Sequence, residues 1–166
     1  TQEALDAVEV LIKNYPNESL LFNICGVLFK EIGQLDKAVK RFKKALAINP
    51  EYSEAHNNLG VTLQNLGLMD EAVKSYEKAI AFKPDYTEAH NNLGVTLQNL
   101  GLMDEAVKSY EKAIAFKPDY TEAHNNLGNI FKELKQLDSA VKSYEKVIAI
   151  KPDYAEAHYN LGNTLR

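Results

Sequence analysis

Between Glu51 and Pro84 the apolar and bulky positions fall into two runs. His56, Leu59, Leu63 and Leu66 step by three, four and three, which is one face of an α-helix. Met69, Ala72, Val73, Tyr76, Ala79, Ile80 and Phe82 form a second run at helical spacing. Gly67 lies between them and can take the left-handed conformation that ends a helix. Pro84 forbids further helix. The pattern predicts an all-α unit: helix, tight turn, helix, tight turn. Asp70 and Glu71 would sit in the first turn of the second helix, where the helix dipole favours negative charge. Asp85 and Glu88 stand three apart, as do Asp119 and Glu122, and Asp153 and Glu156. That spacing predicts a capping box at each new start.

The unit repeats every 34 residues. Residues 54–94 recur letter for letter as residues 88–128. Four full units are predicted at 17–50, 51–84, 85–118 and 119–152. Residues 1–16 match only a second helix, with Ala4, Val8, Leu11 and Pro16 in frame with Ala38, Phe42, Ala45 and Pro50. Residues 153–166 match only a first helix. The expectation is a single array of ten helices over residues 1–166, in which each unit packs on its neighbours. Gly60, Gly94, Gly128 and Gly162 fall inside first helices, where glycine costs about 1 kcal/mol against alanine. A close approach of the partner helix, opposite Ala72, Ala106 and Ala140, is the expected compensation.

Composition narrows the function classes. A net charge of −4 argues against nucleic acid as partner, because phosphate binding wants a basic stripe. The apolar runs are too short for a membrane span, and no charged-then-apolar leader opens the chain. Cys25 is the only cysteine, so no internal disulfide can form. A reducing compartment such as the cytoplasm is the default. No phosphate-cradling glycine loop, Ser-His-Asp set or cysteine pair is present, so neither catalysis nor a cofactor is expected.

The string His56-x-x-Leu59-Gly60-x-x-Leu63, then Ala72-x-x-x-Tyr76, then Pro84, resembles the tetratricopeptide repeat. The first full unit gives Phe22-x-x-Cys25-Gly26-x-x-Phe29, Ala38-x-x-x-Phe42 and Pro50, and the resemblance covers the whole chain. It implies a right-handed superhelical α-solenoid whose first helices line a concave groove that holds a peptide or partner segment. The chain departs from the pattern with His where Trp is frequent, with Cys25 for Leu, and with Lys135 for the inter-helix glycine. Lys135 predicts a strained turn or a different cap. Val147 replaces the smaller Ala79 and Ala113, which predicts a different spacing at that interface.

Glu54, Asn57, Asn58, Val61 and Asn65 form the other stripe of the first helix, turned away from Leu59 and Leu63. Asparagine is a poor residue for a helix interior, so its recurrence asks for a reason. Asn58, Asn92, Asn126 and Asn160 make one rung per unit. Asn57, Asn91 and Asn125 make a second, and Asn65 and Asn99 lie further along the face. A carboxamide can pair with both the N–H and the C=O of an extended backbone. The rows resemble the asparagine ladder in the repeat domain of O-linked N-acetylglucosamine transferases, which implies peptide binding by Asn58, Asn92, Asn126 and Asn160. Ile24 replaces the asparagine in the first unit, so the ladder should end there. The competing reading is that copied units carry solvated asparagines with no ligand.

Other repeated residues read as packing. A metal row of His56, His90, His124 and His158 is disfavoured, because successive units should lie roughly 10 Å apart, beyond the span of one ion. Tyr76, Tyr110 and Tyr144 are in core register. Tyr86, Tyr120 and Tyr154 begin first helices and are expected to pack on neighbours. The glutamates Glu54, Glu88, Glu122 and Glu156 read as capping groups. Cys25 takes the place of a core leucine, so a buried thiol is expected.

Units 51–84 and 85–118 differ only at Glu51/Asp85 and Ser53/Thr87. Either a very recent duplication or the deliberate insertion of a copied unit accounts for this. Cys25 and Lys135 are irregularities that a consensus design would remove, and they favour a natural array, expanded and present as a fragment. Its apolar end helices predict head-to-tail stacking of copies. The leading expectation for function is a non-catalytic interaction scaffold. The alternatives are a substrate-recruiting arm of a larger glycosyltransferase or sulfotransferase, or a structural solenoid that assembles with itself.

Overall fold

The computed structural model describes residues 2–166; Thr1, the first residue assigned to the opening half-unit, lies outside them. The described residues form ten α-helices and no strands. The chain divides into two compact units, Thr1–Pro84 and Asp85–Arg166. The first holds α1 (Gln2–Asn14), α2 (Ser19–Glu31), α3 (Leu35–Ile48), α4 (Ser53–Asn65) and α5 (Met69–Phe82). The second holds α6 (Thr87–Asn99), α7 (Met103–Phe116), α8 (Thr121–Glu133), α9 (Leu137–Ile150) and α10 (Ala155–Thr164).

The same arrangement recurs within each unit. A first helix packs against the second helix of its own hairpin, against the preceding second helix, and against the next first helix. Thus α4 touches α5, α3 and α2, and α8 touches α9, α7, α6 and α10. Among the described residues, α3 and α5 both lean on α4 without approaching each other.

The turn inside each hairpin is a Schellman motif. Leu68 N–H donates to Leu63 O at 2.9 Å and Gly67 N–H to Gln64 O at 2.9 Å, with Gly67 at φ +77°. Lys135 builds the same turn: Gln136 N–H reaches Phe131 O at 2.8 Å, Lys135 N–H reaches Lys132 O at 3.1 Å, and Lys135 takes φ +61°. The cap is therefore kept, and the lysine bears the left-handed strain that glycine escapes.

The capping boxes do not form. The residues preceding α4, α6, α8 and α10 are Tyr52, Tyr86, Tyr120 and Tyr154, and none of them caps its helix through a side-chain hydrogen bond. Asp119 and Asp153 are used one step earlier. Tyr120 N–H donates to Lys117 O at 3.0 Å, which closes a turn with Pro118 and Asp119 at its centre. Proline and aspartate suit those two positions, so the acid serves the turn and not the helix end.

The glycine inside the first helix of each full hairpin meets an aromatic ring. A Cβ on Gly60 would fall 2.6 Å from Tyr76 Cε1, on Gly94 2.6 Å from Tyr110 Cε1, and on Gly128 2.6 Å from Tyr144 Cε1. The nearest neighbour is the ring four residues after the expected alanine. Ala72, Ala106 and Ala140 are also fully buried. Tyr76, Tyr110 and Tyr144 have no exposed surface, and burial raises the Tyr144 phenol to about 12, with Glu156 and Glu133 adding to the shift. Cys25 is fully buried, and burial pushes its thiol above the ordinary value. Val147 is buried as well.

Candidate functional site

The asparagine-bearing face is built from α2 and α4 in the first unit, and from α6, α8 and α10 in the second. Helical spacing puts Asn57 and Asn58 side by side, but their environments differ. Asn57, Asn91 and Asn125 retain only 6%, 5% and 4% of their surface, so this row is enclosed and not open to solvent. Asn58, Asn92 and Asn126 are half-buried, Asn160 is buried, and Asn65 and Asn99 are exposed near the ends of α4 and α6.

The two rows are joined to each other. Asn58 Nδ2–H donates to Asn23 Oδ1 at 3.1 Å, and Asn126 Nδ2–H donates to Asn91 Oδ1 at 3.3 Å. An outer amide of one repeat is therefore held by an inner amide of the repeat before it. Because a hydrogen bond is directional, these side-chain bonds tie consecutive first helices at defined points. Asn23 belongs to the inner row although Ile24 beside it breaks the Asn-Asn pair. Its signal was present, since it stands in the register of Asn57. Ile24 does interrupt the outer row and is exposed, yet the amide chain runs on to Asn23.

The last rung differs. Asn160 Nδ2–H goes to Asn129 Oδ1 at 3.2 Å, not to Asn125. Asn125 instead donates to Glu156 Oε1 at 2.9 Å, and its own Oδ1 is buried without a partner. Asn129 draws the last amide away because it stands where Val61 and Val95 stand in the earlier copies.

The histidines are wall residues. The Nε2–H of His56 donates to Pro50 O at 2.8 Å, that of His124 to Pro118 O at 3.0 Å and that of His158 to Pro152 O at 2.8 Å. His56 stacks on Phe82 and His90 on Phe116, each with 5.7 Å between ring centres. Among the described residues, no three His, Cys, Asp or Glu side chains converge as a metal site would need. The glutamates serve packing partners: Glu54 pairs with Lys83 at 3.5 Å, and Glu122 accepts from the Tyr120 hydroxyl at 3.2 Å. Lys117 and Lys151 place their ammonium groups 5.1 and 5.6 Å from the ring centres of Tyr120 and Tyr154. No helix among the described residues is long and apolar enough to cross a membrane.

Helical hairpins of fixed length, each closed by a left-handed turn and locked by a glycine–aromatic contact, define an all-α protein of tandem helical repeats. The TPR repeat family model matches residues 26–67, 69–101, 103–135 and 128–165, and a second tetratricopeptide repeat model matches 54–83 and 88–117. The chain belongs to the tetratricopeptide repeat family. A comparison with curated protein sequences gives no match. Among solved structures, MamA superposes with a TM-score of 0.84 at 26% identity, over 92% of this chain and 90% of that one. MamA residues 41 to the end, from Desulfovibrio magneticus RS-1, match with a TM-score of 0.84 at 20% identity, over 93% and 87%. The APC/C hetero-tetramer Cut9-Hcn1 matches with a TM-score of 0.87 at 18% identity, over 99% of this chain and 33% of that one. The last two likenesses show the fold alone.

Proposed function

We propose that the chain is a non-catalytic interaction scaffold that holds an extended peptide along the asparagine face of its first helices. The observation that carries this reading is the half-filled amide. Asn58 and Asn126 each spend one N–H on the preceding repeat. Each keeps a second N–H and its Oδ1 on a half-buried face, the pair that an extended backbone needs. The enclosed Asn23 and Asn91 hold those amides in orientation, and they and the enclosed Asn125 make no contact with the peptide themselves. Asn65 and Asn99 extend the same face into solvent. A peptide held through its backbone would be chosen with little regard to its side chains.

Panning an immobilised random-peptide library against the intact chain tests this. Binders should be recovered, and Asn58→Ala with Asn126→Ala should weaken them at least tenfold at a temperature where circular dichroism shows the double variant still fully helical, its midpoint falling because Asn23 and Asn91 each lose a donor. An empty screen, or full binding by the double variant, would overturn the reading.

A second reading rests on a different surface. Val10, Leu11 and Tyr15 on and after α1 are 55%, 41% and 62% exposed, and Tyr159 and Leu165 at α10 are 70% and 68% exposed. These apolar faces favour head-to-tail stacking of copies, a heterologous contact that need not close. Light scattering should then show mass rising with concentration, and a strict monomer at high concentration would exclude it.

A further inference from the structure

Helix α3 breaks the charge pattern of its repeats. It carries Lys37, Lys40, Arg41, Lys43 and Lys44 against a single acid, Asp36, in a chain of net charge −4. The register shows where the change lies. Lys40 and Lys44 recur as Lys74 and Lys78 in α5, but Lys37 and Lys43 stand where α5 and α7 have Glu71, Glu77, Glu105 and Glu111. Arg41 is held by Glu9 at 2.8 Å and lies over the Phe29 ring, so it is already partnered. Lys43 is not.

Lys43 instead opens onto a hollow of about 520 Å³. The hollow exists because α3 and α5 both pack on α4 but not on each other. Leu46, Leu59 and Phe82 form its apolar surface, Phe82 being 45% exposed, and Lys43, Lys74 and Lys78 stand around it. No carboxylate is among the lining residues. The Nε2–H of His56 is committed to the Pro50 carbonyl, and burial together with Lys78 lowers its pKa, so the charge in the hollow comes from the three ammonium groups.

We propose that this hollow is a docking site for an acidic peptide segment carrying a pair of bulky apolar side chains between carboxylates. The volume falls in the range of small-ligand pockets and takes an aromatic or leucyl anchor against Phe82, Leu46 and Leu59. The flanking carboxylates would relieve three like charges gathered over an apolar floor. Charge complementarity singles out this occupant: three lysines and no carboxylate face the hollow, in a chain of net charge −4. A nucleic acid would gain little from a compact apolar hollow with no extended basic stripe. The site is separate from the asparagine face and does not depend on it.

The test is fluorescence anisotropy on the intact chain with a fluorescein-labelled hexapeptide, Glu-Asp-Phe-Leu-Asp-Glu. The peptide should bind, and binding should weaken as salt is added. Replacing its acids by lysine, or its Phe and Leu by serine, should abolish binding. Lys43→Glu should weaken binding about tenfold, and Lys43→Arg should restore it to within about twofold. Lys43→Glu is safe for the fold, because glutamate occupies that register in α5, α7 and α9. Asn58→Ala with Asn126→Ala should leave this binding unchanged, which separates it from the amide face. The proposal is overturned if the acidic peptide does not bind, if Lys43→Glu binds it equally well, or if phosphatidylserine vesicles or a single-stranded oligonucleotide bind more tightly at the same site.

Discussion

The Tyr144 hydroxyl donates to Asn129 Oδ1 at 2.7 Å, whereas Tyr76 donates to Gln64 Oε1 at 3.0 Å and Tyr110 to Gln98 Oε1 at 3.2 Å. The fourth repeat carries Lys132 in the glutamine register and Asn129 in the register of Val61 and Val95. Two substitutions therefore move one acceptor by a turn of helix. The first full repeat has Phe42 at the tyrosine register, with Lys30 and Val27 at the other two. Where no hydroxyl is buried, no acceptor is supplied.

Asn129→Val alone strands the buried Tyr144 hydroxyl and should cost about 1–2 kcal/mol. Asn129→Val with Lys132→Gln rebuilds the arrangement of the middle repeats and should recover most of that loss. It also releases Asn160 toward the unpartnered Asn125 oxygen. Urea unfolding of the wild type, both single variants and the double variant forms a cycle, and strict additivity would refute the exchange of acceptors.

Glycines in the same register should respond oppositely to alanine. At Gly94 the new methyl meets the Tyr110 ring at 2.6 Å, and that ring is fully buried and held by Gln98. Gly94→Ala should destabilise by about 1–3 kcal/mol. At Gly162 no atom lies within 4 Å, so Gly162→Ala should stabilise by about 0.5 kcal/mol through helix propensity. Thermal melts followed by circular dichroism compare the two, and equal shifts would contradict the ring contact.

Lys135 holds a positive φ with a full side chain. The equivalent Gly33, Gly67 and Gly101 have φ of +74°, +77° and +78°. Lys135→Gly should raise stability by about 1 kcal/mol, the relief of left-handed strain less the added freedom of the unfolded chain. A lower urea midpoint in Lys135→Gly would show that the lysine side chain stabilises the turn.

Acid should weaken the first compact unit through His56. Burial first, then the nearby Lys78, hold its pKa below the ordinary 6.5, against the opposing pull of the Pro50 carbonyl. The unfolded chain therefore takes up this proton at a higher pH than the folded one. The stability that the neutral ring contributes is fully present above pH 6.5 and is lost as pH falls from there toward the folded-state value. The first repeat carries Phe22 in this register. His56→Phe should flatten part of the pH dependence, and an unchanged slope in midpoint against pH would sink the assignment.

Periodicity by itself determined the ten helices, their order and the turn residues. Those features are local: apolar spacing sets helix and face, and glycine or proline sets the stop. It also placed His56, Tyr76 and Cys25 in the core, because their register matches aliphatic or aromatic positions in the other copies. The fate of polar residues lay outside its reach. Nothing in the string Asn125-Asn126 tells which amide is enclosed and which is left half open. That depends on where the next first helix lies, and the distance between helices is not a local property. The same holds for Asp119, which serves a turn and not a cap, and for Gly60, whose close neighbour is a tyrosine ring. Hydrophobic pattern selects a face, but a hydrogen bond has direction and a steric contact has range, so only the packed helices could assign partners to these residues.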